Sequence, residues 1–265
     1  MRVALLTDVH EDVVSLKRAL RMIEIEKCDQ VVCLGDILGY PYLRGSYEKS
    51  RNVNECISLI RSNCSMVVAG NHDIFHLRKL PEFANGFRFP HDWYEMPPEM
   101  KTRISGGRVW NYSDDCPVLL NDAEIEYIDS LPEYAVLEAG DRRVLLSHSL
   151  FPNLTGYVSD KTGNERALPV HFGFMEKNGC GLSVCGHMHI EGLGISYEIR
   201  DSFLPRLFRG FRYFPYGRRR LRSHRCCVTI PALADNSQVN GFAVFDSDDF
   251  SINALSLNAN RLVVI

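Results

Sequence analysis

The sequence predicts an α/β fold with a C-terminal part made of antiparallel strands. Residues 2–7 form a short apolar run typical of a strand that is buried on both faces. Asp12 then opens a helical pattern whose apolar residues share one face, namely Val13, Leu16, Leu20 and Ile23. Two more strands, at 30–34 and 65–69, enclose a second helix at 53–62. Strands and helices that alternate over such short connections predict parallel strands with right-handed crossovers.

The rest of the chain changes character twice. Prolines and glycines break residues 74–120 into short pieces, which predicts an irregular or short-helical excursion over the main sheet. A helix capped by Asn121, strands at 135–137 and 143–147, a helix between 164 and 177 and a strand at 182–185 follow. From Cys227, three apolar or alternating runs predict an antiparallel sheet. We therefore expect one domain over 1–265, with an excursion at 74–120 and a basic insertion at about 196–226.

The composition is that of a globular protein. The chain has 265 residues, 45% of them hydrophobic and 24% charged, and its formal net charge of −3 gives no global attraction to nucleic acid or membranes. No apolar run has the length of about 20 residues that a transmembrane helix needs, and the N-terminal run is too short for a signal peptide. The nine cysteines are scattered and lack a Cys-x-x-Cys spacing, so we expect reduced thiols and a cytoplasmic protein.

Polar side chains follow five predicted strands at the point where each strand ends. The candidate metal ligands are Asp8, His10, Asp36, Asn71, His148, His187 and His189. Each motif taken alone is weak, because Asp-x-His, Gly-Asp and Gly-Asn-His-Asp also occur as caps and turns. Their coincidence at five strand ends favours a site, because the carboxyl ends of parallel strands form the crevice where α/β proteins bind ligands.

These seven side chains suit a pair of divalent ions. Carboxylate oxygen, amide oxygen and neutral imidazole are ligands for manganese, iron, zinc, cobalt or magnesium. Seven ligands are too many for one tetrahedral site, whereas two ions about 3.5–4 Å apart that share one carboxylate would use them all. Such a pair ionises water near neutral pH and holds phosphoryl oxygens for in-line attack.

The same motifs resemble the five signature blocks of the calcineurin-like metallophosphoesterase superfamily. The blocks are Asp8-x-His10, Gly35-Asp36, Gly70-Asn71-His72-Asp73, His148 and Gly186-His187-x-His189. The resemblance spans residues 1–189 and, more loosely, the C-terminal strands. It implies a four-layer αββα sandwich of two mixed β-sheets flanked by helices, with a di-metal site at the sheet edge. It also implies hydrolysis of phosphomonoesters or phosphodiesters by in-line attack of a hydroxide that the two metals activate.

The resemblance also divides the site residues between roles. It implies that Asp8, His10 and His189 hold one metal, that Asn71, His148 and His187 hold the other, and that Asp36 bridges the two. His72 would be the catalytic residue that contacts phosphate and protonates the leaving oxygen, a form of help that typically contributes about 10²–10⁴-fold. The expected cofactors are two divalent ions, manganese first, with iron, zinc, nickel, cobalt and magnesium as alternatives.

The second block departs from the pattern of the phosphoprotein phosphatases. Those enzymes continue it as Gly-Asp-x-x-Asp-Arg-Gly, whose second Asp orients the catalytic His and whose Arg grips phosphate. Gly39 and Tyr40 stand at those two positions here, so the bidentate Arg contact is absent from this place. The block therefore resembles small prokaryotic-type phosphodiesterases and phosphatases more closely. Glu11 and Asp12 also replace the Gly-Asn that many relatives have after His10, and we expect Asp12 to cap its helix.

A basic stretch follows the last block. Between residues 192 and 227, nine arginines alternate with aromatic residues, and Arg200, Arg206, Arg209 and Arg212 are candidate substrate-binding residues. Arginine with aromatic residues suits nucleotides or single-stranded nucleic acid, an anionic membrane surface or an acidic partner. A solvated extension whose aromatic residues pack on the body is an equal alternative. Because it follows His189 directly, we expect this stretch to begin near the site and to influence substrate choice.

Three functions are therefore compared. The first is a phosphoesterase acting on a phosphate-ester substrate, with a phosphodiester or nucleotide-like compound favoured. The second is a non-catalytic scaffold with the same fold, and the third is a nucleic-acid-binding module that uses the arginine-rich stretch. Scaffolds of this fold tend to lose ligands or the leaving-group histidine, whereas all seven ligands and His72 are present here. The sequence therefore favours the enzyme.

Overall fold

The structure is a computed structural model, and it describes residues 1–40, 47–110, 112, 114–158, 167–199, 210–235 and 239–258. Within those ranges the strands are β1 (Arg2–Leu6), β2 (Gln30–Cys33), β3 (Met66–Val67), β4 (Tyr134–Ala139), β5 (Arg142–Ser147), β6 (Leu182–Ile190), β7 (Leu193–Tyr197), β8 (Arg212–Phe214), β9 (Gly217–Arg220), β10 (Cys226–Pro231), β11 (Gly241–Asp246) and β12 (Ser251–Ser256). The α-helices are α1 (Val13–Ile25), α2 (Val53–Asn63), α3 (Asn71–His76), α4 (Pro98–Ser105), α5 (Asp122–Asp129) and α6 (Leu168–Lys177). Two short 3₁₀ helices, Glu48–Ser50 and Trp93–Glu95, complete the described elements.

The first sheet has the strand order β3-β2-β1-β11-β12-β9. Strands β1, β2 and β3 are parallel, which confirms the prediction from the alternating strands and helices. The Asp12 side chain accepts a hydrogen bond from the backbone N–H of Ser15, so it caps α1 as expected. The C-terminal strands β11 and β12 continue the sheet in antiparallel pairing. This sheet is therefore mixed, with its parallel half at the N-terminal end of the chain.

The second sheet has the order β4-β5-β6-β10-β7-β8 and corrects one prediction. We expected the three runs after Cys227 to form one antiparallel sheet, but β10 pairs in parallel with β6 and antiparallel with β7, away from β11. The physical reason is burial. All six residues of β10 are buried, so this strand belongs in the middle of a sheet that is covered on both faces.

Side-chain alternation along the strands generates four layers. Val3 and Leu5 of β1 point between the two sheets and meet Val184 of β6 and Val228 of β10. The other face of the first sheet packs against α1 and α2, whereas the outer face of the second packs against α6. The architecture is thus the αββα sandwich of two mixed sheets that the resemblance implied.

The described part of the predicted excursion, residues 74–110, 112 and 114–120, contains only short helices between irregular stretches. Its centre is aromatic, since Tyr112 stacks on Phe75 at 4.3 Å between ring centroids and lies 5.5 Å from Tyr157. Gly106 ends α4 in the left-handed conformation that commonly closes a helix. These aromatic contacts pack the segment against α3, at the carboxyl end of the first sheet.

Several arginines in the described part of the basic stretch contact other parts of the protein. Arg218 pairs with Asp249 at 2.5 Å, and the Arg219 guanidinium lies 5.3 Å from the Phe214 ring centroid. Arg225 pairs with Glu198 at 2.7 Å. The nine cysteines are free thiols, as expected. Among the residues that the structure describes, no helix combines the length and apolar character that crossing a membrane requires.

Candidate metal centre

The predicted ligands converge at one edge of the sandwich. Asp8 and His10 follow β1, Asp36 follows β2, Asn71 opens α3 and His148 follows β5. One detail differs from the prediction, because β6 does not end before Gly186 but continues to Ile190 and carries His187 and His189 within it. Five of the seven side chains are buried, whereas His187 and His189 are half-buried and open the site to solvent.

The first cluster consists of Asp8, His10 and His189. The Nε2 atoms of the two histidines lie 3.1 Å apart, and His189 Nε2 lies 3.1 Å from Asp8 Oδ1. Ligands bound about 2.0–2.2 Å from one tetrahedral ion stand roughly 3.3–3.5 Å apart, so these spacings are close to those of a coordination shell. Asp8 Oδ1 is buried and has no hydrogen-bond partner, as expected of an atom reserved for a cation.

The second cluster consists of Asp36, His148 and His187. His148 Nε2 lies 3.1 Å from Asp36 Oδ2 and 3.3 Å from His187 Nδ1. Asp36 Oδ2 also lies 3.8 Å from His10 Nε2 of the first cluster, so this carboxylate stands between the two groups. The amide oxygen of Asn71 is buried without a hydrogen-bond partner, which again leaves a donor atom for a cation.

Backbone contacts fix which atom each side chain presents. The Nδ1 atoms of His10 and His148 lie 2.7 Å and 2.8 Å from the carbonyl oxygens of Gly39 and Leu34, so Nδ1–H donates and Nε2 is left as a ligand. Asp8 Oδ2 accepts hydrogen bonds from the Thr7 hydroxyl and the His187 N–H. Asp36 Oδ1 accepts one from the His72 N–H, which leaves Asp36 Oδ2 toward the histidines. The site is therefore oriented by the protein itself.

A buried carboxylate holds the two central loops together. Asp73 accepts backbone hydrogen bonds of 2.8–3.0 Å from Asp36, Ile37, Leu38 and Gly70. These four N–H groups belong to the loop after β2 and to the start of α3. Asp73 thus joins the segments that carry Asp36 and Asn71, although it presents no atom to either cluster.

The titration of the site suits cation binding. Burial raises the pKa of Asp8 and Asp36, but the neighbouring histidines outweigh it and hold both pKa values below the ordinary range. Burial lowers the pKa of His10 to about 4 and that of His187 to about 3, so both imidazoles are neutral at pH 7. Metal ligation requires ionised carboxylates and neutral imidazoles. The pKa of His148 is raised to about 10, because Asp36 and Asp8 outweigh its burial, and a bound cation would displace that proton.

The backbone at the site is strained. Asp8, His10, Asp36, His187 and His189 have φ values of 53°, 46°, 54°, 68° and 46°. The left-handed conformation costs a residue with a Cβ about 1–2 kcal/mol, so five such residues represent a considerable local cost. Strain of this kind persists where the surrounding structure enforces it, and it concentrates at functional sites.

His72 stands beside both clusters and has a partner that we did not predict from the sequence. Its Nδ1 lies 2.6 Å from Asp115 Oδ2, and His76 Nε2 lies 3.2 Å from the same oxygen. The spacing of His72 and His76, four residues apart in one helix, could have indicated a shared partner. Asp115 carries no such signal, because it comes from the irregular excursion. Burial lowers the pKa of His72, but Asp36 and Asp115 outweigh it and leave the pKa raised.

The structure describes one of the four predicted substrate-binding arginines. Arg200, Arg206 and Arg209 lie outside the described residues. Arg212 begins β8 and is exposed at the edge of the second sheet.

Comparison with known proteins identifies a family. The sequence model of the calcineurin-like phosphoesterase family matches residues 1–191. The chain is similar to an uncharacterized protein, MJ0912, of Methanocaldococcus jannaschii, at 35% identity over 71 residues, or 27% of this chain. The match spans about a quarter of that relative, 26% of its length.

Solved structures share the fold over nearly the whole chain. A metallophosphoesterase from Sphaerobacter thermophilus aligns with a TM-score of 0.63 at 20% identity, covering 97% of this chain and 88% of that one. The hypothetical protein PH1004 from Pyrococcus horikoshii OT3 aligns with a TM-score of 0.56 at 13% identity, covering 96% and 87%. At these identities the likeness shows the fold.

Proposed function

Because this chain belongs to the calcineurin-like phosphoesterase family, we propose that it is a metal-dependent hydrolase of phosphate esters that uses two divalent ions. Asp8, His10 and His189 would hold one ion, and Asn71, His148 and His187 the other. Asp36 would bridge them. The bound pair would ionise a water near neutral pH and neutralise charge on the phosphoryl oxygens. A phosphodiester or nucleotide-like ester is the substrate class that we favour.

The observation that carries this proposal is the direction of the free donor atoms. Asp8 Oδ1 and Asn71 Oδ1 are buried without hydrogen-bond partners, which is costly in the absence of a cation. The imidazoles of His10 and His148 direct Nε2 toward the carboxylates because their Nδ1 atoms are taken by backbone carbonyls. A purely structural cluster would satisfy these atoms within the protein.

His72 would act on the leaving group. It belongs to a group with His10 and Asp36 whose potential ligand atoms all lie within 4.8 Å of one another. The backbone N–H of His72 donates to Asp36, so His72 is held next to the carboxylate that would bridge the two ions. From this position the imidazole can donate a proton to an ester oxygen as the bond to phosphorus breaks.

The same features argue against a non-catalytic scaffold. A scaffold needs the fold but neither the full set of donor atoms nor a histidine aligned beside them. Here both clusters are complete, and five of their members occupy a strained backbone conformation. Selection for stability alone would not maintain that strain.

The test combines metal analysis with a substrate panel. Purified protein is assayed with Mn, Fe, Ni, Co, Zn or Mg on p-nitrophenyl phosphate, bis-p-nitrophenyl phosphate, cyclic nucleotides and phosphopeptides. Manganese is our first choice, because the donors are carboxylate, amide and imidazole. We expect about two ions per chain and turnover of a phosphodiester. A metal-loaded protein that hydrolyses nothing on the panel would favour the scaffold.

Two variants separate metal binding from chemistry. Asp36→Asn should abolish turnover and reduce metal content, because it weakens the carboxylate between the clusters. On an ester with a poor leaving group, such as a cyclic nucleotide, His72→Ala should slow turnover by about 10²–10⁴-fold while leaving the metal content unchanged. His91→Ala is the matched control, since the His91 side chain is 97% exposed. Loss of metal in His72→Ala would refute the role assigned to His72.

A further inference from the structure

The carboxylate that contacts His72 does not come from the loop that follows Asp36. Gly39 occupies the place where phosphoprotein phosphatases carry the aspartate that orients this histidine. In the structure a Cβ at Gly39 would lie 2.6 Å from His72 Cγ and 2.7 Å from its Cβ, and the φ of Gly39 is +85°. Contact at that distance is far inside the ordinary separation of about 3.5–4.0 Å between carbon atoms. In this arrangement a side chain at position 39 would collide with the His72 ring.

A carboxylate reaches His72 from the excursion instead. Asp115 Oδ2 lies 2.6 Å from His72 Nδ1, and the Asp115 side chain is only 2% exposed. Burial raises the pKa of Asp115, but the bonds from His72 and His76 outweigh it and lower the pKa to about 2. An ionised carboxylate only accepts, so His72 Nδ1–H donates to it. This leaves Nε2 as the ring nitrogen that can face an ester oxygen.

The excursion fixes Asp115 on several sides. His76 Nε2 lies 3.2 Å from the same oxygen, so this carboxylate contacts two imidazoles of α3. The backbone N–H of Cys116 donates to the carbonyl of Tyr40 at 3.0 Å, next to Gly39. The ring of Tyr112 stands edge-on to that of His72 at 5.0 Å between centroids. These contacts join the excursion to both loops that border His72.

The distances favour a hydrogen-bonded unit over a third ion. His72, His76 and Asp115 could in principle ligate a cation together. Two ligands of one tetrahedral ion stand roughly 3.3–3.5 Å apart, however, and 2.6 Å between Nδ1 and Oδ2 is the length of a charge-assisted hydrogen bond. The carboxylate would have to move to admit a metal.

We propose that Asp115 is the positioning residue for His72, that His76 holds Asp115 in place, and that this unit adapts the site to esters with poor leaving groups. The inference rests on the proposed function. As water releases a proton to solvent and forms its bond to phosphorus, the bond from phosphorus to the ester oxygen breaks. That oxygen keeps the electron pair of the broken bond and takes a proton from His72 Nε2, which leaves the ring neutral. Nδ1–H stays bound to Asp115, so the ring keeps its orientation before and after the transfer.

The leaving group provides the test. A p-nitrophenolate departs without much protonation, whereas phenolate or alkoxide departure needs the proton in the transition state. In Asp115→Asn we expect kcat for a phenyl or alkyl ester to fall about 10–100-fold, because the imidazole loses its alignment. For the p-nitrophenyl ester of the same class the fall should be below about 5-fold. KM and metal content should stay near those of the parent protein.

Two further variants make the comparison specific. Asp114→Asn is the matched control, because it removes the same charge from the neighbouring position, and both kcat values should remain unchanged. In the double variant His72→Ala/Asp115→Asn, the second substitution should add less than about 2-fold to the effect of His72→Ala, because residues that act through one another are not additive. His76→Ala should show the same leaving-group dependence as Asp115→Asn with a smaller size.

The outcomes are distinguishable from a failure of the proposed function. If the parent protein hydrolyses neither ester, the phosphoesterase proposal itself is wrong. If the parent turns both over and Asp115→Asn slows them equally, Asp115 has only a structural role. Additive effects in the double variant would also overturn the proposal. A third metal equivalent that disappears in both Asp115→Asn and His76→Ala would replace it with a metal site.

Discussion

Gly39 offers a quantitative test of the geometry around His72. Adding one methyl group in Gly39→Ala places a Cβ 2.6 Å from His72 Cγ and 2.7 Å from its Cβ. Ordinary carbon–carbon contacts are about 3.5–4.0 Å, so the imidazole must move by about 1 Å. A misplacement of that size costs up to about 10²-fold in rate. We therefore expect kcat to fall by about one to two orders of magnitude.

Gly39→Ala should also lower the free energy of unfolding, and this effect must be separated from the loss of kcat. Gly39 has a φ of +85°, and a residue with a Cβ pays about 1–2 kcal/mol in the left-handed region. Gly86 provides the matched control, because its φ is +71° and a Cβ there would meet no atom within 4 Å. Gly86→Ala should therefore lose a similar free energy of unfolding while its kcat stays at the parent value.

The assay measures the free energy of unfolding in urea, kcat on a phenyl or alkyl ester, and metal content. Metal content matters because the Gly39 carbonyl also accepts from His10 Nδ1, at 2.7 Å. That carbonyl belongs to the backbone and remains in the variant, so both ions should stay bound. If kcat of Gly39→Ala stays within twofold of that of Gly86→Ala, the close approach of position 39 to the His72 ring is wrong.

Two other predictions concern stability. Removal of divalent ions with EDTA should lower the melting temperature, because an ion at 100 times its Kd stabilises the folded state by about 2.7 kcal/mol. Asp36→Asn should lose most of this response to EDTA. Asp141→Asn is the control and should keep the response, because the Asp141 side chain is exposed. Burial lowers the pKa of His171 to about 3, whereas the unfolded chain titrates near 6.5, so between these pH values the unfolded state binds more protons and stability is lost as pH falls. Between pH 7 and pH 5 the free energy of unfolding should fall by about 2 kcal/mol because of His171. In urea titrations of His171→Gln, this fall should be smaller by about the same amount. An unchanged fall would contradict the low pKa of His171.

The parts of the structure that the sequence predicted are those encoded locally. A short apolar run followed by Asp-x-His or Gly-Asp predicts both a strand and the polar residues at its end, so candidate ligands could be named without knowing the strand order. Their assembly at one edge then follows from parallel pairing of β1, β2 and β3. The αββα layers came from the resemblance, because periodicity alone does not reveal how two sheets pack.

Two features needed the structure for physical reasons. The nearly continuous apolar run of β10 indicates a strand covered on both faces, but it does not indicate which sheet that strand joins. Asp115 lies 43 residues beyond His72 in a segment without regular structure, so no spacing relates the two. Gly39 stands where the phosphoprotein phosphatases have an orienting aspartate, but the sequence could not show that a side chain at this position would meet the His72 ring.

These features imply that metal binding and leaving-group protonation depend on different parts of the fold. The clustered side chains are carried by the two sheets and by α3, and backbone carbonyls or N–H groups orient them. His72 depends instead on a carboxylate from the excursion, which α3 contacts through His72 and His76. A change in the excursion can therefore alter which esters are cleaved while the metal centre stays the same. In the proposed enzyme, the sandwich would supply the chemistry of phosphoester hydrolysis, and the irregular segment would be where leaving-group selectivity diverges.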